Sequence, residues 1–141
     1  MKRISFLLLV LVLLLLGCTE EKANDGDWNL SPTFNVDNLT LHGTEGKFGV
    51  IKVNGESNEP EFPAKQGRLY AVYFLDSLEE NGKKYKMTAT HKKTGESVKL
   101  HEKNIEKEQN GAKFGFDKLG LWKIDVTIDE KPYTSFVVEA K

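Results

Sequence analysis

The chain has 141 residues, with 20 lysines and arginines set against 21 aspartates and glutamates, and a net charge of −1. Its cations are interspersed with acids and form no long basic run, which excludes a nucleic-acid footprint. A single cysteine excludes a disulfide framework, so any folded part must be held by its apolar core alone.

Lys2 and Arg3 open the chain ahead of an apolar run from Phe6 to Leu16, which has the form of a secretory signal. From Ile4 to Leu16 a helix would cover roughly 20 Å, short of the ~30 Å hydrocarbon core that a stable span must cross. The run ends in Leu15-Leu16-Gly17-Cys18, which resembles a bacterial lipobox. That resemblance implies diacylglycerol on the Cys18 thiol, removal of residues 1–17, and Cys18 as the mature N-terminus. Two acyl chains, each CH₂ contributing about 0.8 kcal/mol on burial, anchor stably where one chain is marginal.

Residues 18–27 follow as a lipidated N-terminus and tether. Thr19 to Asp27 is too polar to offset its ordering entropy by apolar burial. Trp28 marks the start of a folded region over 28–141. Its punctuation is all-β, with short apolar runs separated by turn residues.

Thr33–Val36, Leu39–His42 and Lys47–Val53 read as strands, the last closed by Asn54-Gly55. Residues 54–67, with Pro60 and Pro63, read as a long loop. Leu69–Leu75 is apolar on both parities and predicts a central strand covered on both faces. Placing Leu69, Ala71, Tyr73 and Leu75 in the core leaves Tyr70, Val72 and Phe74 to be covered by the 60–67 loop or by a partner. Tyr70 and Phe74 are accordingly the candidate binding patch.

Tyr85–His91 and Ser97–His101 alternate as strands, and the lone Ile105 in 102–110 predicts a loop or a single turn. Ala112–Phe116 is the next strand. Leu121–Ile128 alternates cleanly with Trp122, Ile124, Val126 and Ile128 inward. Asp129 to Pro132 turns the chain into a returning strand, Tyr133–Ala140. Seven to nine short strands without βαβ rhythm predict an antiparallel β-sandwich of immunoglobulin-like size, with a small closed barrel as the competitor.

Gly120-Leu121-Trp122-Lys123, the Lys131-to-Glu139 segment, Ser31-Pro32-Thr33-Phe34 and Gly43-to-Ile51 resemble a family of small Bacillus-type lipoproteins whose shared domain has no known function. The resemblance implies an extracytoplasmic lipoprotein with an immunoglobulin-like domain. It transfers no catalytic residue.

Catalytic constellations are weak. His42, His91 and His101 lack metal-ligand spacing, and no metal or other cofactor is expected. Ser77, Ser97 and Ser135 have no Gly-x-Ser-x-Gly context, and the carboxylates Asp76, Glu79, Glu80, Asp125 and Asp129 form no evident pair. The sequence therefore predicts no catalytic residue. It favours a non-catalytic binding module, lipid-anchored at the outer face of a Gram-positive-type cell membrane, with a protein or envelope component as partner. An envelope hydrolase or metal-dependent enzyme is the alternative.

Overall fold

The computed structural model describes residues 28–76 and 81–141. The expected signal segment (1–17), Cys18 and the expected tether, together with Ser77, Glu79 and Glu80, lie outside the described residues.

Nine strands follow in order: β1 (Thr33–Val36), β2 (Leu39–Thr44), β3 (Phe48–Lys52), β4 (Gly67–Phe74), β5 (Lys84–His91), β6 (Ser97–Asn104), β7 (Gln109–Gly115), β8 (Gly120–Ile128) and β9 (Lys131–Ala140). They form two antiparallel sheets, a five-stranded one ordered β1-β2-β3-β4-β7 and a four-stranded one ordered β6-β5-β8-β9. The fold is thus an all-β sandwich. Turn chemistry joins its hairpins: Asp37-Asn38 and Asp129-Glu130 are both left-handed, with φ of 47° and 70°, and of 48° and 68°. That is the geometry a two-residue loop needs to match strand twist, and aspartate and asparagine tolerate it best.

The core lies between the sheets. Trp122, Ile124, Val126 and Ile128 face inward from β8 as their alternation predicts, against Phe48, Val50 and Phe74 from the other sheet. Trp122 is fully buried, its indole N–H donates to the Lys118 carbonyl at 3.0 Å, and its ring lies 5.3 Å from Phe116.

Two expectations are corrected. Residues 102–110 are not a loop throughout: 102–104 extend β6, and Gln109 and Asn110 open β7. The lone Ile105 is 2% exposed, plugging the core at the sheet-to-sheet crossing, with its N–H bonded to the Lys83 carbonyl. The parity of β4 is also the reverse of that expected. Tyr70, Val72 and Phe74 point into the core, while Leu69 and Tyr73 are half-buried on the other side.

The long loop folds down onto the core instead of standing off it. Phe62 is buried and stacks on Tyr70 at 5.5 Å. Behind it, the Glu59 carboxylate receives Arg68 through two bonds of 2.8 and 2.7 Å and Lys52 through one of 2.9 Å. Gly55 is required there: its φ is 91°, and a Cβ would lie 1.9 Å from Glu59 Oε1.

Candidate functional site

Tyr70 and Phe74, the patch expected from sequence, are 1% and 3% exposed. Tyr70 is stacked between Phe62 and Phe114, at 5.5 and 4.2 Å, and its hydroxyl donates to the Glu61 carbonyl at 2.9 Å. Burial pushes its phenol pKa well above the ordinary value. Phe74 meets Phe48 and Tyr85 edge-on at 5.3 and 5.0 Å. Neither side chain offers a surface, because aromatic bulk at these positions fills the space between the sheets.

The strand's other parity supplies a surface instead. Directly opposite residues of paired strands share a face. Phe48 and Val50 pair with Phe74 and Val72 inside, so Gly49 with Tyr73 and Ile51 with Ala71 point outward. On the far side of β4, Tyr73 pairs with Gln109, Ala71 with Gly111, and Leu69 with Lys113. The outer face is therefore apolar over β3 and β4, bordered on β7 by Gln109 and Lys113 on either side of Gly111.

One end of this face is closed. A Cβ built on Gly49 would meet Leu41 Cδ1 at 2.7 Å and the Phe34 ring at 3.2 Å, so these two side chains lie over that glycine. Both are buried apart from the main core. The other end is open. Val53, 52% exposed, and Leu69 stand beside Ala71 and Gly111, with Gln109 and Lys107 at the rim of a depression of about 460 Å³. Its floor is low because alanine and glycine sit between longer neighbours.

The opposite outer face is different in chemistry. Lys86, Thr88 and Thr90 of β5 and Lys123, Asp125 and Thr127 of β8 alternate with the core positions there. Trp28 lies on that side beneath Lys123, whose Nζ is 4.7 Å from the ring centroid. The two outer faces thus differ in polarity, the five-stranded sheet presenting the more apolar one.

A second hollow, of about 410 Å³, lies by the loop and is lined in part by Leu30, His42, Glu61, Phe62 and Lys141. His42 packs edge-on against Phe62 at 4.9 Å. Burial lowers its pKa, opposed by the Glu61 carboxylate. Glu59 and Glu61 are both engaged in holding the loop, Glu61 by accepting the Lys52 backbone N–H at 2.6 Å.

The other two histidines are apart from this hollow. His91 is buried against Trp122, with Nδ1 3.0 Å from the Thr94 hydroxyl and Nε2 2.9 Å from the Leu119 carbonyl oxygen. His101 lies beside Tyr85, with ring centroids 5.6 Å apart. Among the described residues no group of three His, Cys, Asp or Glu could hold a metal ion. Ser135 bonds Asp125 on the hydrophilic face, and Asp76 accepts the Tyr133 hydroxyl.

No family model and no curated protein matches the chain. Among solved structures, it is similar to a chain from Bacillus anthracis described as "a Putative Lipoprotein", with a TM-score of 0.67 and 20% identity. The match covers 86% of this chain and 91% of that one. The shared sandwich thus extends over almost the whole of both molecules.

Proposed function

We propose that this protein is a lipoprotein whose folded part is a non-catalytic docking module. Diacylglycerol on Cys18 ties it to the outer face of a Gram-positive-type cell membrane. The outer face of the five-stranded sheet receives a protein or envelope component. The observation that carries this reading is the outward row of β4, where Leu69 and Tyr73 flank Ala71 beside the exposed Val53. Ala71 is itself buried between its neighbours, and the apolar area that Val53, Leu69 and Tyr73 leave in water is stabilised when a partner covers it, at roughly 25 cal/mol per Å².

The anchor is supported by Gly17-Cys18 at the end of the signal segment and by the described nature of the Bacillus anthracis neighbour. Kinship with Bacillus-type lipoproteins, and an immunoglobulin-like ancestry for the sandwich, belong to the same proposal.

The test places a photo-crosslinking residue at Leu69 or, as control, at Thr88 in the full-length protein in intact cells. A discrete adduct from Leu69 alone is expected, and it should be lost with Tyr73→Asp. Adducts from Thr88 alone would reverse the assignment of faces. The enzymatic alternative centres on His42 beside Glu61. It predicts a turnover of envelope substrate that His42→Gln abolishes.

A further inference from the structure

Among the described residues, the rim of the apolar face coincides with an unpaired sheet edge. The Phe74 N–H donates to the Glu108 carbonyl at 2.8 Å, which makes Phe74 and Glu108 a hydrogen-bonded pair. Such pairs alternate along an antiparallel ladder. Val72 with Asn110 and Tyr70 with Ala112 are therefore bonded pairs, and Gln109, Gly111 and Lys113 turn their N–H and C=O groups away from β4. All three residues are exposed. The Val53 N–H to Leu69 carbonyl bond of 2.9 Å fits the same alternation on the other side of β4.

The other edges are blunted. β6 carries Lys99, Glu102 and Lys103, and a register shift faces it between Met87 and Thr88. β9 is sealed by residue 31: the Ser31 N–H reaches the Val137 carbonyl at 3.1 Å, and the Val137 N–H reaches the Ser31 hydroxyl at 2.9 Å. β1 has only four residues. Natural sheets protect edges by charge, bulge, cover and shortness. Among the described residues, the segment Gln109–Ala112 of β7 has none of these. Asn110 fixes its start from below, accepting the Glu106 N–H and donating to the Lys107 carbonyl.

Resting on the docking reading above, we propose that β7 takes an extended peptide as an added strand, with an apolar side chain of the peptide lying over Gly111. Because Gly111 has no side chain, a residue paired with it can fold onto Leu69 and Ala71 in the depression. Lys113 shares the outward parity of Gly111, and Lys107 lines the depression from the bend that precedes β7, so acidic residues on either side of the apolar one complement the site.

Area argues for a peptide over a second copy of this chain. Three open strands at ~4.8 Å spacing and about seven residues of ~3.4 Å give only on the order of 350 Å². A stable interface between folded proteins uses about 800 Å² per partner. A peptide needs less, because main-chain bonds along the edge add to the apolar contact.

The experiment uses ¹⁵N-labelled mature chain, residues 18–141 with Cys18→Ser, and the capped peptide Asp-Val-Phe-Val-Asp as probe. Saturable shifts are expected, with amide exchange of Gln109, Gly111 and Lys113 slowed about tenfold or more. Lys113→Pro removes an edge donor that β4 does not use and should abolish binding. N-methylation of the peptide's phenylalanine should do the same while leaving the protein untouched. Shifts on Val53, Leu69 and Tyr73 without slowed β7 exchange would overturn strand addition and leave the docking face standing. Absence of saturation at millimolar peptide, shifts confined to β6, or unchanged binding of the N-methyl peptide would each overturn the proposal. So would concentration-dependent protection of β7 without peptide, which would mean self-pairing.

Discussion

Tyr70 and Tyr73 lie on the same strand and do opposite work. Tyr70 is a buried ring in an aromatic stack, whereas Tyr73 is half-buried on the outer face. Tyr70→Ala should cost about 3–5 kcal/mol in urea unfolding, as large core truncations do. Tyr73→Ala should stay within about 1 kcal/mol, because no cavity forms on an open face. Tyr85 gives a further test at this scale. Its hydroxyl is buried and, among the described residues, has no hydrogen-bond partner, and burial raises its pKa to about 12. Tyr85→Phe removes an unsatisfied polar atom, so the melting temperature should hold or rise. A drop would mean that the hydroxyl has a partner, such as an ordered water.

At the scale of elements, the alternation of β8 is legible because Lys123, Asp125 and Thr127 are polar at outward positions while Trp122, Ile124, Val126 and Ile128 are apolar at inward ones. β4 was not legible in that way. Both of its parities are apolar, and what decides between them is register: Leu69 falls opposite Lys113, and Tyr70 opposite Ala112. No local pattern carries a pairing partner more than forty residues away in sequence. Ile105 was missed for a related reason, since a single apolar residue has no periodicity although a crossing can bury it alone.

The 54–66 loop supplies the pH test. Two hydrogen-bonding cations, Arg68 first and Lys52 second, hold the Glu59 carboxyl near a pKa of about 2. A pKa depressed in the fold means a contribution present above the unfolded value, near 4.5, and lost as pH falls toward 2. Protection of the loop amides, taken relative to intrinsic exchange at each pH, should therefore hold at pH 5 and fall progressively below pH 4.5. Glu59→Gln should show fast exchange already at neutral pH, with the β8–β9 hairpin unchanged.

At the scale of the whole molecule, the two outer faces differ in polarity. The chain enters beside Lys123 on the hydrophilic side, so the apolar rows lie on the side of the sandwich away from that entry. An anchor at Cys18 would leave them available to a partner in the envelope. Cys18→Ala should accumulate as unlipidated precursor and take up no fatty-acid label in cells. The class of fold was readable from strand punctuation, but the location of the surface was not, because it depends on which face the neighbouring strands leave uncovered.

The most direct test is a carbene footprint, comparing purified mature protein with protein labelled in intact cells. Val53, Leu69 and Tyr73 should label strongly when purified and lose label in cells. Tyr70 and Phe74 should stay silent in both samples, while Thr88, Thr90 and Thr127 keep their label. Protection of the threonine-bearing face instead, or identical footprints in the two samples, would contradict the assignment of the apolar face as the place where this protein meets its partner.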